Sequence, residues 1–509
     1  MKRSIYLILC ICLWLPEKGF ALSGFFPVKE SGITGDGKQI ETQRLQQVID
    51  SCHLSGGGTV FFPAGDYLSA TLQLKDNVTL YLSAGARLIA SDRKELYTIR
   101  TNLSDTGSES TPMLIYAQGA KNIAIKGEGE LVAQPQYYQT PLGESDFIRD
   151  DIQAAKESGV ELLGWRWKEP AVTLVFLSEC QDVSITGVQL KHSVFWTLHI
   201  HWCERVNMQG IYIYSDLEKA ANADGIDIDG CRNVTISDCI IETADDAICM
   251  KTTNGTSGYR DCENITVTNC VLTSTSCALK LGTESYGDFR YIHFTNCIIR
   301  NTNRGLGIFI RDGGTAEHIL FSNIRMECTR KPVGWWGSAD AMRFVVLKRN
   351  PDSRIGGIRN IWVKDVYAHV EGTSIIAGYE GMKNISDIIL ENVTIDMFPE
   401  TVSDQRAREG ILLQNSERLT FHQVSLTWKD REKPNKWTYP FYLQDVSEVT
   451  FNRIKPGQTS PDYTPFCLEN SDHITITQSH FETSPSTLYT PKGDLQNIEI
   501  ESTNKYIPR

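Results

Sequence analysis

Beyond its first two dozen residues the 509-residue sequence has no run apolar enough to cross a membrane, which excludes a protein built on several helical spans. It also lacks a basic excess: 50 Lys and Arg stand against 62 Asp and Glu, a formal net charge of −12. No stripe of Lys or Arg exists to meet phosphates, so nucleic acid is excluded as a partner. The same balance gives no general attraction for an acidic polymer, so a uronate would need local positive groups. There is no Cys-x-x-Cys pair and no Cys/His spacing of a zinc site, and neither a metal nor an organic cofactor is expected. Finally, the repeats described below carry no amphipathic helix each, which excludes a helical solenoid.

The apolar run that is present sits at the start. Lys2 and Arg3 precede IYLILCICLWL, and the small residues Gly19, Ala21 and Ser23 follow. This pattern predicts a secretory signal peptide over residues 1–23, cut near Ala21 or Ser23, and hence a secreted or periplasmic protein with no other membrane attachment. Residues 24–509 are expected to form a single domain, acting as a monomer.

Leu45, Val48 and Ile49 predict one helical face across roughly 41–53, ended by the Gly56–Gly58 run. Short alternating strands follow. One helix before many strands suggests a cap over the open end of a stack. A six-residue unit then recurs: NIAIKG at 122, DVSITG at 182, RVNMQG at 205, NVTISD at 233, NITVTN at 264, YIHFTN at 291, HILFSN at 318, NIWVKD at 360 and on to NIEIES at 497. Adjacent copies mostly lie 23 to 31 positions apart, too short for a four-stranded propeller blade. The steps from 122 to 182 and from 318 to 360 leave room for insertions or for coils without a visible motif. The fold class predicted is all-β: a right-handed parallel β-helix with an N-terminal capping helix.

Twelve cysteines follow the leader. Cys180, Cys203, Cys231 and Cys262 each sit two positions before a repeat core, and Cys239, Cys270 and Cys297 share a second register. Ladder positions of this kind predict small buried apolar residues rather than bridges, although neighbouring coils could still pair one or two of them. Two excursions break the rhythm: 144–168, with a helix-like run before Trp165 and Trp167, and 329–350, with Trp335 and Trp336. Such walls could stack on sugar rings or pack on the coil.

The candidate chemistry lies in NADGIDIDGCRNVTISDCIIETADDAICMK, residues 222–251. Asp224 and Asp245 are 21 positions apart, about one coil, so Asp224, Asp245 and Asp246 should gather on neighbouring coils stacked about 4.8 Å apart. Crowded carboxylates hold at least one pKa up, giving one protonated acid beside ionised ones, which is what glycosidic hydrolysis uses. Regular strand alternation would point Asp245 and Asp246 to opposite faces, so a bend is expected between them.

With GDG at 35–37, GGGTVFFPAGDY, HSVFWTLHIHWCERV at 192–206, and NADGIDIDG followed by DDAICMK, the chain resembles glycoside hydrolase family 28, the polygalacturonase-like pectinases. The resemblance implies a hydrolase acting on a pectic polysaccharide, rhamnogalacturonan-like or galacturonan-derived, with inversion. It implies Asp245 as general acid, Asp224 and Asp246 activating water, Asn222 and Lys251 as substrate-positioning residues, and His199 held in the coil beside the site. The family's Gly-His-Gly is missing, with Ser276 at the matching position. Its Arg-x-Lys, which grips a galacturonate carboxylate, is replaced by Gly307 and Phe309. Lys280, Glu284, Arg304 and Arg311 lie on the same coils, either as parts of a different subsite or as exterior charges, and an exposed Phe309 would suit a neutral or deoxy sugar. A β-helical lyase and a non-catalytic carbohydrate-binding solenoid are the competing readings.

Overall fold

The computed structural model describes residues 24–101, 111–133, 137–141, 156–157, 159, 163–167, 171–255, 257–331, 337–482 and 488–506. The expected leader, residues 1–23, lies outside them. The helix Thr42–Leu54 is where the apolar spacing puts it, burying Leu45, Val48, Ile49 and Cys52. The glycine run after it is needed for closeness: a Cβ on Gly57 would lie 2.4 Å from the Asn77 Cβ.

Most of the described residues after the helix wind as a parallel β-helix whose strands fall into three stacks. The first stack includes Thr173–Ser178, Leu198–His201, Ile226–Asp229, Ile248–Thr252, Cys277–Ser285, Arg304–Ile310 and Asp340–Val346, each paired in parallel with the next. The second stack carries the six-residue repeat, from Lys121–Gly127 through Gln181–Thr186, Glu204–Gln209, Arg232–Ser237 and Cys262–Thr268 to Phe289–Thr295. A third stack includes Ala86–Ala90, Glu130–Val132, Gln189–Lys191 and Tyr212–Tyr214. Alternate residues face inward, so each strand needs only every second position apolar. The inward residues form ladders, as in the stacked rings of Phe294 and Phe321, 4.9 Å apart and inclined by 6°.

The two long steps in the repeat are insertions. Ile123 pairs directly with Val183, and Ile319 with Ile361, so no coil is hidden in either gap. Part of the first insertion is a hairpin in which Leu163–Trp167 runs antiparallel to Tyr137–Pro141. Trp165 and Trp167 therefore stand on a strand, while most of the helix-like run before them lies outside the described residues. Their side chains, and Trp335 and Trp336 altogether, lie outside the described residues.

The polar residue that opens each repeat has a backbone reason. Asn122, Asp182, Arg205, Asn233, Asn264, Tyr291 and His318 all have φ between 53° and 58°, the left-handed corner where the coil turns. That conformation costs about 1–2 kcal/mol for most residues and least for Asn and Asp, whose short side chains bond locally. The corners also bond to one another: the Asn264 amide donates to Asn233 Oδ1 at 3.2 Å, one coil back.

The cysteine ladders are as the spacing predicts. The Cys180 backbone N–H meets Cys203 Sγ at 3.3 Å and the Cys203 N–H meets Cys231 Sγ at 3.2 Å. All twelve cysteines after the leader are buried and unbridged. Losing a native disulfide typically costs about 2–5 kcal/mol. A thermal melt should therefore give the same midpoint with and without dithiothreitol; a fall of several degrees on reduction would show that bridges exist.

Candidate active site

Four neighbouring strands of the first stack carry the candidate residues: Leu198–His201, Ile226–Asp229, Ile248–Thr252 and Cys277–Ser285. Asp224 and Asp246 each lie two residues before a strand, in register with one another, because Ile226 pairs with Ile248. The Gly225 N–H donates to the Asp246 carbonyl at 2.8 Å. A Cβ on Gly225 would lie 2.4 Å from the Ala247 oxygen, which explains the glycine after Asp224.

The bend expected at Asp245 is present, and three hydroxyls hold it. Thr243 Oγ1 and Ser274 Oγ donate to the Asp245 carbonyl at 2.9 and 2.7 Å, and Thr275 Oγ1 donates to the Ala244 carbonyl. Adjacent Asp245 and Asp246 can then face the same way. One carboxylate oxygen from each of Asp224, Asp245 and Asp246 lies within 4.8 Å of the others.

These acids are almost shut from water, with 2%, 7% and 1% exposure for Asp224, Asp245 and Asp246. Burial is the largest influence on the Asp245 carboxyl, the charges of Asp224 and Asp246 add to it, and its pKa stands well above the ordinary range. Burial also lifts Asp224, Lys251 offsets part of the rise, and the carboxyl is pushed up to about 6. A side-chain hydrogen bond with Asp227 also favours the ionised Asp224.

Two buried ammonium groups balance the ring. Lys280 Nζ lies 2.5 Å from Asp246 Oδ2, and Ser276 Oγ donates to Asp246 Oδ1 at 3.0 Å. Lys251 Nζ lies 3.3 Å from Asp224, 3.5 Å from Asp227 and 3.3 Å from Glu284, and 4.2 Å above the Trp196 ring. Burial opposes the charge on both lysines, but the neighbouring carboxylates outweigh it and raise both. Glu284 is buried too, yet Lys251 and Arg349 hold its carboxyl below the usual range.

The sequence-derived candidates thus divide. Asp224, Asp245, Asp246, Ser276 and Lys280 meet directly, and Lys251 and Glu284 form a second ring. Asn222, two residues before Asp224 in the sequence, is half-buried. His199 is buried with Nε2 3.2 Å from Asp229 Oδ2. Arg311 lies at the far end, where its backbone N–H donates to Ser285 Oγ at 2.7 Å.

Two expectations need correction. Lys280, Glu284, Arg304 and Arg311 are not exterior charges: each is buried, and Arg304 reaches Asp340 at 2.6 Å. Their rows on the first stack are packed against neighbouring coils. Nor does Phe309 offer a surface to a sugar, since it is 1% exposed. Its ring is a spacer, with Arg304 Cζ 5.0 Å and Lys280 Nζ 5.7 Å from its centroid. Gly307 makes the room, for a Cβ there would lie 2.9 Å from Cys277 Sγ and 3.0 Å from the Phe309 ring. Positive charge is therefore present in this region, but Lys280 and Arg304 are each paired with a carboxylate.

Asp227 and Trp196 went unnoticed in the sequence. Asp227 is fully buried, and burial and then Asp224 push its carboxyl well up. The alternation in IDID, with Ile226 and Ile228 in the core, was the signal that Asp227 faces the same side as the acids. Nothing in the sequence marks Trp196 as the platform for Lys251.

Residues 166–409 match the family model described as glycosyl hydrolases family 28. A protein named "Probable polygalacturonase" from Vitis vinifera is 24% identical over 233 residues, covering 43% of each chain. The "Exo-poly-alpha-D-galacturonosidase" of Dickeya chrysanthemi is 24% identical over 250 residues, 43% of this chain and 41% of its own. The matches thus span less than half the length of these curated relatives. Among solved structures, the family 28 exopolygalacturonase of Yersinia enterocolitica superposes with a TM-score of 0.61 at 18% identity, over 84% of this chain and 78% of that one. The hyperthermoactive exopolygalacturonase of Thermotoga maritima gives 0.59 at 21% identity, over 73% and 87%. These structures share the β-helical fold. The family match takes in the acid-bearing coils and places residues 166–409 in glycosyl hydrolases family 28.

Proposed function

We propose that the protein is an exported glycoside hydrolase that cleaves a pectic polysaccharide or its fragments, rhamnogalacturonan-like or galacturonan-derived. The observation that carries this reading is the convergence of Asp224, Asp245 and Asp246 within 4.8 Å, balanced by two buried lysines. Asp245, whose proton is held by burial and by its two neighbours, acts as general acid on the leaving oxygen. Asp246, ion-paired to Lys280, and Asp224 together orient and deprotonate the attacking water. The carboxylates are closer than the roughly 6.5–9.5 Å of most inverting pairs. The water is accordingly held at the edge of the cluster by Asp224 and Asp246 together, not between acid and base, and leaves the product inverted. Asn222 and Lys251 position the substrate and the acids.

Three neighbouring carboxylates could also collect a divalent cation, as a lyase would require. Lys251 and Lys280 weigh against this, because they already supply positive charge on Asp224 and Asp246.

Digestion of a panel of pectic fractions, rhamnogalacturonans included, tests the assignment. Asp245→Asn should lower kcat by about 10²–10⁴-fold, the usual worth of a general acid. An unchanged rate would remove Asp245 from that role. Proton NMR of the first product should show inverted anomeric configuration; retention would make Asp224 or Asp246 a nucleophile. A chelator should leave the rate unchanged, and unsaturated sugar ends in the product would favour the lyase.

Stability should move the other way. A raised folded pKa means that Asp245 holds a proton the unfolded chain has released, so it costs stability as pH rises above about 4. Asparagine removes that cost and keeps the oxygen that accepts the Asp246 N–H at 2.9 Å. Asp245→Asn should melt higher than wild type at pH 7, with the gain vanishing below about pH 4; a lower melting point at pH 7 would contradict the raised pKa.

A further inference from the structure

The first stack does not stop at the acids. Lys280 is in register with Gly307, Gly307 with Arg343, Arg343 with Ile375, and Ile375 with Leu412. The parallel row on the same face runs from Phe309 to Val345, Ala377, Gln414 and Gln444. These two rows floor a groove of about 790 Å³. It opens two coils beyond Lys280, about 10 Å along the axis at roughly 4.8 Å per coil.

The chemistry of this groove differs from that of the acid cluster. Its floor is apolar and half-exposed: Ile375, Ala377 and Leu412, with Leu347 exposed at the side. Beside the floor lies a pair of amides, Gln414 Nε2 donating to Gln444 Oε1 at 2.6 Å. Its cations, Arg343 and Lys383, are matched in number by Glu380 and Asp445. A run of free uronates would bring one negative charge per unit to a surface with no net positive charge. A sugar without charge suits it better, laying its C–H face or a methyl on the floor and its hydroxyls on the amides. The coil spacing is close to the length of one hexose, so successive coils can face successive units.

We infer that this groove is a distal subsite for uncharged units of the same polymer, either 6-deoxyhexose or methyl-esterified uronate, lying beyond the bond that Asp245 cleaves. The inference rests on the pectinase reading above for the identity of the polymer. It places the selection of substrate in coils that the acid motif does not reach. The Gly307–Phe309 segment next to the acids is filled by protein, and the open surface begins one coil later.

The test uses the full-length enzyme with Leu412→Asp, and with Leu412→Ala should the aspartate fail to fold. The substrates are short pectic oligomers, which cannot reach the groove, and long oligomers of three kinds: rhamnose-containing, methyl-esterified and free-acid. The variants should raise KM about tenfold for one or both uncharged long classes and leave kcat and KM on short oligomers as in wild type. The class that responds identifies the occupant as deoxyhexose or ester. Equal KM for variant and wild type on every long oligomer would overturn the inference, as would a loss confined to the free-acid class. Wild type inactive on the whole panel would instead refute the hydrolase reading. In that case calorimetric titration of the same long oligomers into Asp245→Asn and into Asp245→Asn/Leu412→Asp still decides: weaker binding by the double variant supports the groove, and equal or absent binding by both overturns it.

Discussion

In-register pairing between successive coils is the constraint on which the rest of the molecule depends. A parallel stack fixes the axial distance between like positions at about 4.8 Å, whatever the residues are. Apolar ladders gain from that distance and make the core. Acids set at the same repeat on adjacent coils cannot escape it. Asp224 and Asp246 are brought together by the pairing of Ile226 with Ile248, and the bend at Asp245 adds the third carboxylate. Two buried ammonium groups then make so much buried negative charge tolerable, since an unpaired buried charge would cost several kcal/mol.

That compensation is uneven. Asp246 has Lys280 at 2.5 Å and a hydroxyl from Ser276, whereas Asp245 has no ammonium at ion-pair distance among the described contacts. Burial and the charges of Asp224 and Asp246 raise the Asp245 carboxyl, and burial raises Asp224 with Lys251 offsetting part of the rise. In the proposed mechanism a donor can stand beside a base because the lysines are placed asymmetrically around the acids, not because the acids differ in kind. Asp227, Glu284 and Trp196 belong to this machinery by holding Lys251.

Much of this was legible in the sequence because a solenoid writes its register there. The spacing from Asp224 to Asp245, the cysteine ladders and the polar corner before each repeat all follow from one period. The corner also explains its own composition, since Asn and Asp tolerate the left-handed turn at Asn233 and Asp182. Other features were not legible because they depend on what fills the space beside a row. Gly307 and Phe309 read as a lost cationic clamp and an exposed ring. Gly307 instead makes room for Phe309, which separates Lys280 from Arg304. Burial of Lys280, Glu284 and Arg304 was hidden for a similar reason: a charged residue in a strand reads as outward, and this outward face is covered. Trp196 beneath Lys251 is a contact between coils two apart in the stack, which no local pattern encodes.

The central claim is that burial and the neighbouring acids hold a proton on Asp245. Infrared difference spectroscopy of wild type against Asp245→Asn at pH 7 reads this directly through the carbonyl stretch of a protonated carboxylic acid. The account predicts a protonated carboxyl band in wild type that disappears in the variant. A carboxylate band lost instead, with the protonated band unchanged, would contradict it.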